Sequence, residues 1–183
     1  MCAILPGQVQ MNPFRWSFRA QFLLGFVACL GLLAYALYTQ YYGGLAPCPL
    51  CTFQRGAFML LAGVFLVGAL HAPPSGRGRG AYGVLALFAA AVGIGVAGRH
   101  VWLQHLPPER VPACGPDLSF MMDAFPLADV LRKVFTGSGE CAEVDWTFLG
   151  LSMPEWSLIW FAGLALWALY AGFRARRRSR DRL

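Results

Sequence analysis

The sequence predicts an all-α integral membrane protein: a four-transmembrane-helix bundle with a long outer loop that carries a short interfacial helix. Three observations predict it. Of 183 residues, 57% are hydrophobic and only 13% are charged, about half the charged share of a soluble domain. Four long stretches carry no charge. The charges that remain are sorted by sign along the chain. Together these features exclude a disordered chain, a collagen-like chain and most soluble globular domains.

The first stretch lies between Arg19 and Arg55, and within it Gln21 to Tyr42 is almost wholly apolar. A helix rising 1.5 Å per residue over that length crosses a hydrocarbon core of roughly 30 Å. The second charge-free span lies between Arg55 and Arg77, in a segment that is apolar from about Thr52 to Ala72 apart from Arg55 itself; the third runs from Gly80 to Gly98 and the fourth from Trp156 to Phe173. Buried helices of a soluble bundle carry a polar stripe, and these do not. The Pro/Gly-rich segment Ala72 to Gly80 reads as a turn between the second and third helices.

An even number of crossings puts both ends of the chain on one side. Arg15, Arg19, Arg77, Arg79, Arg174, Arg176, Arg177, Arg178, Arg180 and Arg182 all fall there, which makes that side cytoplasmic by the positive-inside bias. Eight of the nine acids, Asp181 being the exception, lie between the third and fourth helices, so the loop of about 102–155 faces outside. The chain then divides into an N-terminal extension, 1–14, a membrane domain, 15–175, and a basic tail, 176–183. No cleaved signal peptide is read at the start, and Met11 is an alternative first residue. The net charge of +6 points to lipid headgroups rather than nucleic acid, because the Arg-rich tail lacks interleaved aromatics.

Leu106 to Pro116 contains four prolines and cannot be helical throughout. From Pro126 to Phe135, Leu127, Val130, Leu131, Val134 and Phe135 share one side, with Asp129, Arg132 and Lys133 on the other. That is helical spacing, and a short helix lying on the membrane surface fits it. A helix packed on a small soluble subdomain fits less well, since little else in the loop offers a core.

Of six cysteines, Cys48, Cys51, Cys114 and Cys141 fall on the outer side, where disulfides persist. They read as two disulfides: the C-x-x-C Cys48–Cys51, and Cys114–Cys141 across the outer loop. Zinc ribbons also use C-x-x-C, but no second such motif exists here and the two pairs differ in spacing, so no metal is expected. A C-x-x-C bridge closes too small a loop to stabilise much; its common use is exchange chemistry. The Cys114–Cys141 pair could be structural, or a disulfide offered to a protein partner. Cys29 lies inside the first helix and Cys2 on the cytoplasmic side, and neither is assigned a role.

Cys51 sits where the second helix begins, and a helix start favours negative charge on sulfur. Arg55 follows one turn later on the same face. A guanidinium at that depth is costly in lipid; it serves either as a snorkelling anchor or as a counter-ion for a thiolate or a reduced acceptor's oxygen. Arg99 and His100 end the third apolar stretch at the same depth, with Gln104 one turn beyond. These are either plain interfacial residues or hydrogen-bonding groups for the carbonyl of a small redox carrier. A haem carrier would need histidines facing each other across the core. His71 lies at the cytoplasmic end and His100 and His105 at the other, so no haem is expected.

At these residues the sequence resembles the disulfide bond formation protein B (DsbB) family. Cys48-Pro-Leu-Cys51-Thr-Phe-Gln-Arg55 matches its first motif, and Arg99-His100-Val-Trp-Leu-Gln104 is similar to its third-helix end. Gly139-Glu-Cys141-Ala and Trp146-Thr-Phe-Leu-Gly-Leu-Ser-Met-Pro154-Glu-Trp156 are similar to its approach to the fourth helix. The likeness runs from about Arg15 to Phe173. It implies a quinone-dependent protein-disulfide oxidoreductase of the bacterial inner membrane with its cysteines facing the periplasm. Such an enzyme reoxidises the thioredoxin-fold thiol oxidant DsbA and passes electrons to ubiquinone or menaquinone. By the resemblance Cys48 and Cys51 are the pair next to the quinone, with Cys51 contacting the ring; Cys114 is attacked by the DsbA thiolate and Cys141 is its partner. Arg55, His100 and Gln104 are carried over as quinone-side residues. The alternative is a quinone-linked oxidoreductase of the vitamin K epoxide reductase type, which usually differs in the order of cysteines and crossings. Here the C-x-x-C follows the first crossing, as in DsbB.

Overall fold

The computed structural model of the chain describes residues 16–113 and 118–180. Cys2 and Cys114 lie outside them. Six α-helices follow in order: α1 (Phe18–Tyr41), α2 (Pro49–His71), α3 (Gly76–Gln104), α4 (Leu118–Ala124), α5 (Leu127–Thr136) and α6 (Met153–Arg180). Among the described residues α1, α2, α3 and the Met153–Arg174 part of α6 are long and apolar enough to cross a membrane, with mean hydropathies of 2.0, 1.7, 2.0 and 1.5. All four expected crossings are present. Helices α1 and α2 start three residues before their apolar stretches and end one residue short, whereas α3 and α6 outrun theirs at both ends, α3 passing through Arg99 to Gln104, because a charge near the membrane rim does not break a helix.

Local chemistry sets the helix starts. Ser17 and Ser75 are N-caps whose side chains accept from Ala20 N–H (3.3 Å) and Gly78 N–H (3.1 Å), satisfying first-turn donors that have no helical partner. Cys48 is the N-cap of α2, followed by Pro49 inside the first turn, where its missing N–H costs nothing. Before α6, Glu155 accepts from the Ser152 backbone N–H at 2.6 Å, the reciprocal half of a capping box.

Helices α3 and α6 pack through small residues. Gly83, Ala86, Ala90, Gly93, Ala97 and His100 are all buried on α3, and their alternating spacing of three and four makes one stripe. Small side chains let backbones approach closely where the hydrophobic effect gives no drive between helices. A Cβ on Gly83 would meet the Ala168 carbonyl at 3.0 Å, and one on Gly172 the Arg79 carbonyl at 2.9 Å. A Cβ on Gly93 would run into the Phe161 ring, which is itself stacked on Phe58 at 3.9 Å. Gly93→Ala should therefore destabilise the bundle by about 1–3 kcal/mol, read as a lower melting temperature in detergent. Gly31→Ala, with open space around it, should leave the midpoint unmoved.

Helix α1 joins α2 through aromatic packing, Phe22 against Phe65 at 5.2 Å, and touches α6 through Trp167 Nε1–H donating to the Gln21 carbonyl at 2.9 Å. A second, smaller core lies at the outer end, where Val130 and Val134 of α5 meet Leu50, Val96, Leu103, Met121 and Cys141. The expected short outer helix is thus present, one residue displaced, and its buried valines close over the ends of α2 and α3. The sequence offered little core within the loop itself; the helix ends supply the rest.

Two details were not expected. Helix α4 precedes α5. Residues Thr147–Phe148 (β1) and Leu151–Ser152 (β2) form a two-stranded antiparallel ribbon, turned by Leu149 and Gly150 at φ 54° and 79°, the positive pair of angles that tight hairpins use. Strands of two residues are too short to show an alternating pattern.

Candidate functional site

The C-x-x-C spacing is the spacing from an N-cap to the third helical residue. The Cys48 sulfur takes the capping position and accepts from the Cys51 N–H at 3.4 Å. The same turn brings the Cys48 and Cys51 sulfurs to 3.2 Å, near enough for a small movement to join them.

Cys141 arrives from the other side. Gly137, at φ 90°, lies against Leu103, and a single turn of 3-10 helix over Gly139–Cys141 follows. Gly139 N–H reaches the Ala113 carbonyl at 3.4 Å and Cys141 N–H the Ser138 carbonyl at 3.0 Å. These contacts leave Cys141 1% exposed. Its sulfur, the Cys48 sulfur and a ring nitrogen of His100 lie within 4.8 Å of one another. The two cysteine motifs, 90 residues apart in the chain, therefore meet at Cys48. Cys114, the fourth outer cysteine, lies outside the described residues.

The hydrogen bond with Cys48, then burial, then the neighbouring Cys48 charge raise the Cys141 pKa above the ordinary thiol range. Cys141 therefore stays a thiol at neutral pH, and its nucleophilic thiolate gains population only in more alkaline solution. Cys48→Ala removes the largest cause. The midpoint of Cys141 alkylation by iodoacetamide, followed by peptide mass spectrometry across a pH series, should move to lower pH. An unmoved midpoint would leave burial as the whole cause.

His100 is 2% exposed. Its Nδ1 pairs with the Gln54 side-chain amide at 3.0 Å and its Nε2 faces the Cys48 sulfur at 3.8 Å. Gln54 is itself buried, at 4%, and fixes the ring's orientation. Arg55, one residue on, points to α1: its guanidinium donates to the Gln40 side chain and to the Ala36 carbonyl, the latter at 3.0 Å. Gln104 pairs with the Ser152 hydroxyl at 2.8 Å, and that hydroxyl also meets Glu155 at 3.0 Å.

Beside the cysteines is a cavity of about 480 Å³. Cys48, Cys51, Gln54, Arg55, His100 and Gln104 border it. Leu32, Leu33 and Ala36 of α1 with Phe58 of α2 give it an apolar wall, and Glu140, Glu143 and Asp145 lie toward the outer loop. An oily slot with polar groups at one end suits a small planar carrier bearing carbonyl oxygens.

Of the residues the sequence singled out, Cys48, Cys51, Arg55, His100 and Gln104 border this cavity, and Cys141 lies beside it, its sulfur within 4.8 Å of the Cys48 sulfur and a His100 ring nitrogen. Arg99 is not: its guanidinium lies over the Trp102 ring at 4.1 Å and donates to the Thr136 carbonyl at 2.8 Å, tying α5 to α3. Gln40, Gln54 and Ser152 were missed. Gln54 had a signal, a polar residue in step with buried Leu50, Ala57 and Leu61; Ser152 had only its capping spacing to Glu155, and Gln40 had none.

Sulfurs gathered at the end of a four-helix membrane bundle, two of them in a C-x-x-C at a helix start, define a membrane-embedded thiol–disulfide oxidoreductase. The comparisons agree. The family described as Disulfide bond formation protein DsbB matches residues 18–171. A Disulfide bond formation protein B of Xanthomonas euvesicatoria pv. vesicatoria is 63% identical over 169 residues, covering 92% of this chain and 98% of that protein. One from Xylella fastidiosa is 51% identical with the same coverage. The chain belongs to the DsbB family of disulfide bond formation proteins.

Proposed function

We propose that the chain is the quinone-linked oxidase of a DsbA-like periplasmic thiol oxidant. It would sit in the bacterial inner membrane with both ends cytoplasmic and the four outer cysteines facing the periplasm. The observation that supports this is a cavity bordered by Cys51, Arg55 and an apolar wall, with the Cys141 sulfur near Cys48 on the loop side.

A thiolate of the reduced partner attacks Cys114 of the Cys114–Cys141 disulfide, forming a mixed disulfide and freeing Cys141. Cys141 attacks Cys48, whose sulfur lies within 4.8 Å of its own, and Cys51 leaves as a thiolate beside Arg55. The partner's second thiol releases it as a disulfide and frees Cys114, which attacks Cys141 and leaves Cys48 and Cys51 both reduced. Two electrons have then moved from the partner to the inner pair. A quinone bound in the cavity supplies the acceptor for those two electrons and two protons. Around it Arg55 stabilises developing oxyanion charge, Gln104 and the Gln54-oriented His100 offer hydrogen bonds, and the apolar wall excludes water. DsbA is itself a strong oxidant, so a thiol-only relay lacks driving force and an acceptor of higher potential is required.

The test is anaerobic turnover of the purified protein with reduced DsbA and, separately, ubiquinone or menaquinone, followed at the quinone's absorbance. Thiol-dependent bleaching of one quinone is expected; no bleaching with either would overturn the proposal. Arg55→Met should raise the apparent KM for quinone on the order of tenfold or more, the value of a charge-assisted hydrogen bond. An unchanged KM would leave Arg55 as a link between α2 and α1 alone.

A further inference from the structure

The cluster at Cys48 has the donors of a metal site as well as those of a thiol relay. The sulfurs of Cys48 and Cys141 and a ring nitrogen of His100 lie within 4.8 Å of one another, and Cys51 adds a third sulfur 3.2 Å from Cys48. A tetrahedral zinc ion with bonds of about 2.3 Å to sulfur and 2.0–2.1 Å to nitrogen holds its donors roughly 3.5–3.8 Å apart. The Cys48 sulfur and His100 Nε2 already stand at 3.8 Å. The separations among Cys48, Cys141 and His100 need adjustments of about 1 Å or less to reach that geometry, and Cys51, which stands outside that group of three, has to turn its side chain toward the ion. Two further observations favour it. The 3-10 turn and the backbone bonds around Gly139 fix Cys141. Gln54 holds the far nitrogen of His100 at 3.0 Å, the kind of support that ligating histidines receive. Turning the Gln54 amide over would put its oxygen on Nδ1–H and free Nε2 for a metal.

We propose that the fully reduced protein is a chelating trap for a soft divalent ion such as Zn²⁺, held by Cys48, Cys51, Cys141 and His100, and that the bound ion stops the sulfurs from exchanging. Three thiolates and one neutral imidazole match the preference of zinc over harder ions. Binding releases up to three protons and moves no electrons. The ion occupies the sulfur lone pairs that exchange requires, and either disulfide removes at least one of the three sulfur ligands. Metal capture is thus confined to the reduced state. This goes beyond the proposed oxidase function and needs only the reduced sulfurs.

The experiment uses the full chain in detergent, reduced with dithiothreitol that is then removed anaerobically, and titrated with Co²⁺ as a coloured stand-in. One ion per chain is expected, with thiolate-to-cobalt charge-transfer bands and the intense visible bands of tetrahedral Co²⁺, both erased by added Zn²⁺. The same protein after oxidation of its thiols should show neither. Cys141→Ser and His100→Ala should each weaken binding by more than about tenfold, and Gln54→Leu by roughly tenfold; Cys114→Ser should not change it. Circular dichroism and melting of each variant separate a lost ligand from a lost fold, and the oxidised–reduced comparison on the unaltered chain needs no variant. Absence of tetrahedral bands in the reduced chain would overturn the proposal. So would binding that survives oxidation, or that depends on Cys114 instead of Cys141. No quinone or partner enters the titration, so a chain that binds cobalt but bleaches no quinone defeats only the oxidase reading, and the reverse result defeats only this one.

Discussion

Cys51→Ser should abolish quinone reduction while leaving the helical fold in place. Cys51 lies in the first turn of α2 and borders the cavity, and on the proposed relay it is the sulfur released beside Arg55. Serine is close in size and tolerated in a helix's first turn, so α2 should still start at its Cys48 cap. A serine oxygen cannot form the Cys48–Cys51 disulfide or cycle two electrons. Anaerobic assay of hydroquinone formation, with a melting curve as the control for folding, checks the expectation. Turnover at any sizeable fraction of the parent rate would show that the electrons leave from a different sulfur.

Cys141→Ala should disconnect the protein partner from the inner pair without disabling that pair. Cys141 is the loop sulfur that reaches Cys48, and 1% exposure means that the protein matrix, not solvent, sets its position. Without it, oxidation of reduced DsbA should fall to background. A small dithiol such as dithiothreitol should still reduce Cys48–Cys51, because both residues are half-buried and border an accessible cavity. The comparison is one of substrates on a single variant: quinone bleaching is lost with DsbA and retained with dithiothreitol. Equal loss with both would mean that the substitution has damaged the inner site. Equal retention would mean that the partner delivers electrons to Cys48 directly. Removing a buried thiol leaves a small void, expected to cost about 1–2 kcal/mol, which a melting curve would register separately.

Much of the architecture was legible because membrane insertion writes itself in one dimension. Uncharged runs of about 20 residues and the sorting of arginine from acid need no knowledge of contacts. The cysteine pair, Arg55, His100 and Gln104 were legible for a related reason: each is costly or conspicuous at the rim of an apolar helix. What stayed hidden depends on the third dimension. The meeting of Cys141 with Cys48 is set by Gly137, the turn at Gly139 and the packing of Leu103, none of which carries a periodic signal. Arg99 and Arg55 looked alike along the chain, yet one lies against Trp102 and Thr136 and the other turns to Gln40. Their different helix faces decide that, and a charge at a given depth does not reveal its face. The glycine–alanine stripe of α3 was present in the sequence, but hydrophobicity alone hides it, since small and large apolar residues count alike.

That stripe has a mechanical consequence. His100 rides on it, and Gln104 and Ser152 link the outer ends of the same two helices, so these two hydrogen-bonding groups belong to a closely packed spine. The oily wall facing it comes from α1 and α2, where bulky aromatic rings replace backbone contact. Cooling or thickening the surrounding lipid would act first on that softer flank. On the proposed function, changes in bilayer fluidity should then alter how often a dissolved carrier gets in, while the chemistry among the sulfurs keeps its pace.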